Sequence, residues 1–341
     1  MLPGMRERCT HDLPGCGGVC GGGERSAEEI LAKRPAGTGD HWWLKVSKSG
    51  LGTQQARAAI ARAAVCDVDL VSCAGNRDRH GQSVQWFSVP AENVEHPGPL
   101  RRAGAHGKMR VLELTSSHKP VTAETVAGLR WKCRIRGGNK AGGYQLGKTV
   151  LDRLRVNGCP NWVAADHADD DLARLGRLLL EGRPLPSRAA ARHVDPSRCR
   201  RALQGWLFNR WLAARLHDGL IAQCIPGDRI RSRSGDETLV ADTIATQRRL
   251  DSWEAVVLGP LIGNGLTFAE GEAAARELAV LTEAGITASS CVSLVGARRA
   301  ARVQPGKVLL DIAGEDLVLD CEMPVEAAIE VLLDEVMKAA P

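Results

Sequence analysis

The chain has 341 residues, of which 44% are hydrophobic and 25% are charged. These fractions are typical of soluble globular proteins and exclude a largely disordered or fibrous chain. The length predicts about two domains. The formal net charge of +5 is modest, so charge alone selects no partner. No stretch approaches the roughly 18 apolar residues of a membrane span, and residues 1–25 lack the apolar segment of a signal peptide. We therefore expect a cytoplasmic protein without membrane association.

The eleven cysteines do not form a disulfide pattern. Their number is odd and they are scattered from Cys9 to Cys321 through apolar segments, so we predict buried, reduced thiols. Repeated glycines near the N-terminus predict that residues 1–25 form a flexible arm. This arm contains four potential zinc ligands, Cys9, His11, Cys16 and Cys20. Their spacing matches no standard zinc site, so we predict no bound metal.

The first regular elements follow this arm. Residues 41–48 form a short run between glycines and predict a strand, and Thr53 begins the apolar spacing of a helix. Two further strands are predicted at 69–74 and 84–89, with a loop at 75–83 between them. Later elements are strands at 110–115, 130–136, 307–312 and 316–321, and helices at 170–181, 197–216, 265–286 and 325–339. The middle third is thus helical, whereas both ends mix strands and helices, which predicts an inserted helical domain.

The strand predicted at 130–136 alternates basic and apolar residues. Its period of two places the basic side chains on one face, and these residues are Arg130, Lys132, Arg134 and Arg136. A solvated outer face is the usual outcome of such a pattern. Four like charges repel one another unless an anion neutralises them, however, and a nucleic-acid backbone carries that charge. The pattern therefore favours RNA or DNA binding.

The loop at 75–83 carries one acidic residue between two basic residues. Asp78 lies between Arg77 and Arg79, and the two cations favour its ionised form. An ionised carboxylate can act as a nucleophile or a general base. An aspartate between arginines is more often part of a surface ion cluster, so these three residues alone do not assign a function.

A longer pattern surrounds Asp78. It reads Ala74-Gly75-x-x-Asp78-Arg79-His80 and continues with Gln85-Trp86-Phe87-Ser88-Val89. This stretch resembles the tRNA pseudouridine synthase D family, whose pattern is Ala-Gly-x-Lys-Asp-(Arg/Lys)-His-Ala-x-Thr-x-Gln-Trp. The resemblance continues in collinear order over residues 26–310. A match of this length exceeds what one loop would give by chance.

The resemblance implies an enzyme that isomerises a uridine of tRNA, at position 13 in the family, to pseudouridine without a cofactor. Asp78 matches the family's catalytic aspartate, and Arg77 stands where the family usually has lysine. The target base would be flipped out of its stack. We expect tRNA as the partner of a monomeric protein. The residues predicted to bind substrate are Glu29, Arg77, Arg79, His80, Arg130, Trp131, Lys132, Arg134 and Asn161.

The resemblance also implies the fold class, which is a mixed α/β (α+β) protein with a central mixed or antiparallel sheet. We predict a discontinuous pseudouridine synthase domain formed by residues 26–157 and 305–341. A mostly helical domain at 158–304 would be inserted into it. The flexible arm at 1–25 would precede both.

Three segments depart from the family pattern. Leu129 and Trp131 stand where the family usually has Asn and Phe, so one amide is lost while an aromatic ring is kept. After Asn161 the family's Arg and second aromatic residue are missing, and 320–326 lacks its Gly-Ser-aromatic motif. Trp131 can still stack on a base. An alternative function is therefore an RNA-binding protein of the same fold that has lost turnover.

An acidic cluster at 166–171 suggests a different class of protein. Its Asp and His side chains are candidate ligands of a divalent metal in a hydrolase. Acidic residues before an amphipathic segment also cap a helix and complement its dipole. The helical pattern at 170–181 follows directly, so we interpret the cluster as a helix cap. The tryptophans within 197–216 follow the apolar spacing of a core face.

Overall fold

The structure is a computed structural model, and it describes residues 8–77, 81–94, 96–104, 107–164, 168–187 and 194–338. The contacts of these residues divide into two compact units. The sheet unit comprises Gly15–Lys148 and Pro305–Val325. The helix-rich unit comprises residues 8–14, Thr149–Gln304 and Glu326–Lys338.

The described residues form strands and helices throughout both units. The strands are β1 (Arg25–Leu31), β2 (His41–Ser49), β3 (Ser72–Cys73), β4 (Gln82–Pro90), β5 (Met109–Ser117), β6 (Val126–Ile135), β7 (Cys159–Pro160), β8 (Arg229–Ser232), β9 (Glu237–Leu239), β10 (Ala255–Leu261), β11 (Ala297–Ala300), β12 (Arg302–Val303), β13 (Val308–Ala313) and β14 (Asp316–Met323). The helices are α1 (Thr53–Ala64), α2 (Gly98–Arg101), α3 (Gly143–Asn157), α4 (Asp170–Leu180), α5 (Pro196–His217), α6 (Thr243–Asp251), α7 (Gly271–Glu283) and α8 (Ile329–Met337).

An eight-stranded sheet forms the centre of the sheet unit. Its strand order is β13-β14-β6-β1-β4-β2-β5, and the short strand β3 also pairs with β4. Strands β1 and β4 run parallel, whereas the other pairs in this sheet are antiparallel. The predicted mixed α/β fold with a central mixed sheet is therefore confirmed.

The sheet has a buried inner face and a more exposed outer face, because side chains alternate along each strand. On the inner face, Leu44, Val46 and Phe87 pack against α1 and form one apolar core with its residues Ala56 and Ile60. Lys48, Ser83 and Gln85 share this inner face and are also buried. On the outer face the same strands carry Lys45, Ser47, Gln82 and Val84, which are less buried.

Most of the strands predicted in the sheet unit are confirmed to within a few residues at their ends. The strand predicted at 69–74 is reduced to β3 and is preceded by a short turn of helix. Strand β1 was not predicted, because it directly follows the glycine-rich segment that the sequence analysis assigned to the arm. Strand β6 begins at Val126, earlier than predicted. The prediction began later because glycine, here Gly128, is unfavourable within a strand.

The helix-rich unit has its own apolar core. Helix α5 contributes Leu203, Leu207 and Trp211 to this core, which confirms the predicted core face. A four-stranded sheet of order β11-β10-β8-β9 lies in the same unit. It was not predicted, because its strands are short and carry charged residues, as the sequence RIRS of β8 illustrates.

The described part of the N-terminal segment makes specific contacts. Thr10 is buried, and its Oγ1 donates a hydrogen bond to Glu335 at 2.5 Å within the helix-rich unit. Val19 and Arg136 exchange two backbone hydrogen bonds within the sheet unit, at 3.1 and 2.8 Å. Described residues of the segment 8–24 thus have fixed partners, whereas its composition predicted a flexible arm. Composition does not reveal partners that are distant in the chain. The predicted domain boundaries stay a prediction, although the contacts assign α8 to the helix-rich unit.

Candidate active site

A split between two strands positions the carboxylate of Glu29. Strands β1 and β4 pair only as far as Glu28 and Val84, while β3 pairs with β4 farther along, at Phe87 and Ser88. The N–H of Trp86 lies in the gap and donates a hydrogen bond to Glu29 Oε2 at 2.7 Å. The carboxylate therefore satisfies a backbone donor that no strand pairs.

The other oxygen of Glu29 forms an ion pair with the residue that precedes Asp78. Glu29 Oε1 lies 2.8 Å from Arg77 Nη2. Burial raises the pKa of the Glu29 carboxyl above its ordinary value, while Arg77, the Trp86 N–H and Lys48 act in the opposite direction. Glu29 is only 4% exposed. Two of the predicted substrate-binding residues, Glu29 and Arg77, are therefore in direct contact.

Two side chains hold the backbone of the loop on both sides of Asn76. Gln85 Nε2 donates to the carbonyl of Gly75 at 2.7 Å, and Thr53 Oγ1 donates to Gln85 Oε1 at 3.2 Å. Thr53 Oγ1 also accepts the backbone N–H of Arg77 at 2.9 Å. We call these hydrogen bonds between Thr53, Gln85, Gly75 and Arg77 the loop clamp. Gly75 has φ +142°, a conformation that favours glycine.

The predicted catalytic residue Asp78 and its neighbours Arg79 and His80 lie outside the described residues. The loop clamp and the ion pair thus hold the chain up to Arg77, one residue before Asp78. Neither Thr53 nor Gln85 was predicted as a site residue. The available signal was the polar residue Gln85 at an inward position of a strand whose other inward residues include Phe87 and Val89.

Trp131 lies on the inner face of the sheet, on the same face as Leu129. In the strand register Trp131 is opposite Ala27 of β1, and Leu129 is opposite Glu29. Ala27 is in turn opposite Ser83 of β4. Trp131 therefore belongs to the part of the inner face that borders Glu29.

The predicted basic residues of β6 lie on the outer face and are paired with acidic residues. Arg130 donates two hydrogen bonds to Asp320, at 2.9 and 2.6 Å, and these bonds lower the pKa of the Asp320 carboxyl. Arg134 lies 2.7 Å from Asp316 of the same strand β14. The neighbouring strand therefore supplies anions to this face, so charge repulsion alone does not require a nucleic acid there, and RNA binding by these residues stays a prediction. Lys132 faces Asp320 in the register.

Two grooves border these residues within the sheet unit. One has a volume of about 470 Å³ and is lined by Glu29, Lys45, Trp86 and Thr115, among others. The other has a volume of about 240 Å³, and its lining includes both Arg130 and Lys132. Since β6 residues alternate between faces, the basic side chains and Trp131 lie on opposite faces of the sheet.

Asn161 belongs to the helix-rich unit and has its polar atoms engaged. Its Oδ1 accepts a hydrogen bond from Arg299 Nη2 at 2.7 Å, and its Nδ2 donates to the carbonyl of Ala300 at 3.0 Å. Asn161 is 1% exposed. Arg299 also donates to the carbonyls of Trp162 and Glu326, and burial lowers its pKa to about 10. These contacts give Asn161 and Arg299 a role in holding the chain at 160–162.

The metal-site alternatives gain no support from the described residues. Within them no group of three or more His, Cys, Asp or Glu side chains is arranged to hold a metal ion. Asp169 accepts the N–H of Leu172 at 2.8 Å and caps α4, as the sequence analysis predicted, whereas Asp166 and His167 lie outside the described residues. Cys9 donates a hydrogen bond to Glu335 at 3.2 Å.

Comparison with known proteins establishes first the fold and then the family. A solved structure from Methanosarcina mazei, assigned as a tRNA pseudouridine synthase D, matches 99% of this chain and 97% of its own, with a TM-score of 0.75 and 18% identity. The fold is therefore the pseudouridine synthase fold. The family model for tRNA pseudouridine synthase D matches residues 12–165 and 200–325. The chain belongs to this family.

Relatives of known family membership match nearly the whole chain. The tRNA pseudouridine synthase D of an Anaeromyxobacter species is 33% identical, over 97% of this chain and 95% of its own length. That of Thermus thermophilus is 30% identical, over 96% and 91%. The resemblance drawn from the sequence is confirmed. None of the helices in the described parts of the chain is long and apolar enough to cross a membrane.

Proposed function

We propose that this protein isomerises a uridine of tRNA to pseudouridine, at position 13 as the family resemblance implies. The observation that carries this proposal is the arrangement before Asp78, where the loop clamp and the Glu29–Arg77 ion pair hold the chain up to Arg77. Thr53, Gln85 and Glu29 thus fix the start of the loop. This loop carries Asp78, which matches the catalytic aspartate of the family. Family membership supports the same activity.

Asp78 is proposed as the catalytic carboxylate. Its carboxylate either attacks C1′ and is later displaced, or removes a sugar proton and later returns it. The N1–C1′ bond breaks, the uracil rotates, C5 bonds to C1′, and the C5 proton is lost while N1 is protonated. Arg77 provides a positive charge next to Asp78 in the chain, and Glu29 holds that guanidinium in place. The target base has to leave its stack before this chemistry begins, which costs least where the RNA is unpaired.

The remaining predicted residues are proposed to bind tRNA. Trp131 would stack on a base, since an aromatic ring supports any base face. Phosphates would be contacted by Arg79, His80, Arg130, Lys132 and Arg134. Asn161 would contribute to tRNA binding indirectly, by holding the conformation of the segment 160–162. We further propose that the protein is monomeric and cytoplasmic and needs no cofactor. Its domain at 158–304 would be inserted into the pseudouridine synthase domain formed by 26–157 and 305–341.

Isomerisation of unmodified tRNA by wild-type protein and by Asp78→Asn tests this function. We expect pseudouridine in the wild-type reaction and a rate at least roughly a thousandfold lower for the variant, as for other essential catalytic groups. Asn keeps the size and the hydrogen bonding of Asp but not its charge. Salt-sensitive tRNA binding by both proteins without any product would instead support the alternative, an RNA-binding protein without turnover.

A further inference from the structure

Two thiols that are far apart in the sequence meet within the sheet unit. Every cysteine of the chain is a free thiol in the structure. Cys20 precedes β1, and Cys133 lies in β6. The Cys133 thiol donates a hydrogen bond to the sulfur of Cys20. Cys133 is completely buried, whereas Cys20 is 9% exposed. The two sulfurs are therefore neighbours, and the less buried of them belongs to Cys20.

Backbone packing holds the segment before Cys20 against the end of β6. Val19 and Arg136 exchange two backbone hydrogen bonds there. Gly18 has φ +80°, and a Cβ atom built on it would lie 2.7 Å from the carbonyl oxygen of Arg136. Only glycine combines this backbone conformation with so close an approach. The position of Cys20 is therefore fixed by the two residues directly before it.

Strand β1 holds Cys20 from the other side. Arg25 is the first residue of β1 and is opposite Cys133 in the strand register. Its Nη2 donates a hydrogen bond to the carbonyl oxygen of Cys20 at 3.1 Å. Adjacent strands are only about 4.8 Å apart, so this bond keeps Cys20 close to Cys133. The contact between the two thiols is thus supported by backbone pairing on both sides of Cys20.

The surroundings of Cys20 favour its thiolate. The hydrogen bond from Cys133 lowers the pKa of the Cys20 thiol, and the Arg25 guanidinium lowers it further, while burial acts in the opposite direction. At Cys66, by contrast, burial raises the pKa of the thiol. The thiolate is the form of cysteine that reacts with oxidants. Cys20 is therefore the more reactive member of the pair.

A third thiol, that of Cys321, lies near Cys133 on the neighbouring strand β14. The strand register places Cys321 opposite Trp131 and Leu319 opposite Cys133. The two cysteines are therefore diagonal neighbours, which are separated by roughly 7–8 Å. A disulfide usually spans a shorter distance between Cα atoms, about 4.4–6.8 Å. Cys20 is thus better placed than Cys321 to form a bond with Cys133.

We propose that Cys20 and Cys133 form a reversible disulfide when the protein is exposed to hydrogen peroxide. The Cys20 thiolate attacks one peroxide oxygen, the O–O bond breaks, and a sulfenic acid forms while hydroxide leaves and is protonated to water. The Cys133 sulfur then attacks the sulfenic sulfur. The S–O bond breaks, and the departing hydroxide takes the Cys133 proton as a second water. The two thiols together lose two electrons and two protons, and the peroxide is reduced.

The disulfide would fasten the segment before β1 to the strand that carries Trp131. It closes a long covalent loop between Cys20 and Cys133, and such a loop restricts the unfolded chain and stabilises the fold. An added thiol reverses the bond by thiol–disulfide exchange. Disulfides of this transient kind are the ones that occur in reducing compartments. The pair would therefore stabilise the sheet unit under oxidising conditions.

Peptide mapping of the full-length protein tests the bond directly. The protein is treated with hydrogen peroxide, unfolded, alkylated at its remaining thiols and digested. We expect a peptide that links Cys20 to Cys133, and dithiothreitol should remove it and restore both alkylated thiols. In Cys133→Ser the sulfenic acid of Cys20 should persist and react with dimedone. Cys66→Ser is the matched control, because it removes a thiol outside the pair and should leave the linked peptide unchanged.

Thermal unfolding measures the consequence of the bond. Oxidised wild-type protein should melt several degrees above the reduced protein, whereas Cys20→Ser and Cys133→Ser should show no such rise. Two free thiols at Cys20 and Cys133 after peroxide treatment, or a link from Cys20 to another cysteine, would overturn the proposal. Equal melting temperatures of the oxidised and reduced wild type would reject the stabilising role. None of these measurements uses tRNA, so their outcome is independent of the proposed function.

Discussion

A carboxylate as buried as Glu29 is costly to ionise unless cations and donors surround it. Arg77, the Trp86 N–H and Lys48 supply these groups, yet burial still raises the pKa of Glu29. The folded protein therefore binds the Glu29 proton more tightly than the unfolded chain. This contribution to stability is fully present below the ordinary carboxyl pKa and is lost as the pH rises through the raised value.

The variant Glu29→Gln tests this balance, because Gln cannot titrate and still offers an oxygen to the Trp86 N–H. We expect the free energy of unfolding of wild type, minus that of the variant, to fall as the pH rises above the ordinary glutamate pKa of about 4.3. Urea unfolding at several pH values measures this difference. A difference that stays constant or rises over that range would contradict the raised pKa.

The hydroxyl of Thr53 makes two hydrogen bonds of the loop clamp, and we expect its removal to lower the rate of the reaction. Thr53→Val has nearly the same shape but cannot accept from Arg77 or donate to Gln85. We expect a loss of about 1–3 kcal/mol in unfolding free energy for the unsatisfied groups. We also expect a lower kcat with little change in KM, because the clamp positions the residue before Asp78 rather than the substrate.

Thr53→Ser is the matched control for this prediction, since it keeps the hydroxyl and should retain both stability and kcat. Steady-state kinetics on tRNA and urea unfolding measure the two effects separately. If Thr53→Val has the kcat of wild type, the clamp does not position the reactive loop.

At the scale of elements, β6 and β14 show what an alternating pattern can and cannot predict. The pattern placed Arg130 and Lys132 on one face correctly, because the period of a strand is local. It could not reveal Asp316 and Asp320, because the pairing of β6 with β14 joins segments almost two hundred positions apart in the chain.

The Arg130–Asp320 pair offers a test of whether the outer face contacts RNA. Asp320→Asn releases Arg130 from its two hydrogen bonds. If this face contacts phosphates, tRNA should bind a few times more tightly at low salt, and the salt dependence should become steeper. Filter binding over a range of salt concentrations measures both quantities.

The control for this prediction is Glu237→Gln, which releases Arg231 from an ion pair of 2.8 Å on the surface of the helix-rich unit. It changes the net charge by the same amount. If both variants bind tRNA equally more tightly, the effect is a general one of net charge. If Asp320→Asn leaves the tRNA affinity unchanged, this face of the sheet does not contact RNA.

At the scale of the whole molecule, the sequence was sufficient for the family and the central sheet. The motif around Asp78 and its collinear extension identified both, and comparison over nearly the full chain confirms them. The roles of individual motif residues were less predictable. Arg215 of α5, for example, is 1% exposed and donates to Asp228 at 2.8 and 3.0 Å. Its role depends on a fold that brings α5 to the segment before β8.

The inner face gives a second example at this scale. Ser83 and Gln85 are polar residues at core positions, and their pattern marks them as unusual without revealing their function. Gln85 holds the loop through Gly75, whereas Ser83 has no partner among the described residues. Only the folded structure shows which of the two side chains holds the loop.

The central claim is that this chain converts a tRNA uridine to pseudouridine by means of Asp78. The most direct test is to map pseudouridine in an unmodified tRNA transcript after incubation with wild-type protein or with Asp78→Asn. We predict pseudouridine at position 13 with the wild type and none above background with the variant over the same time. Absence of pseudouridine with folded wild-type protein, or equal amounts with both proteins, would contradict this claim.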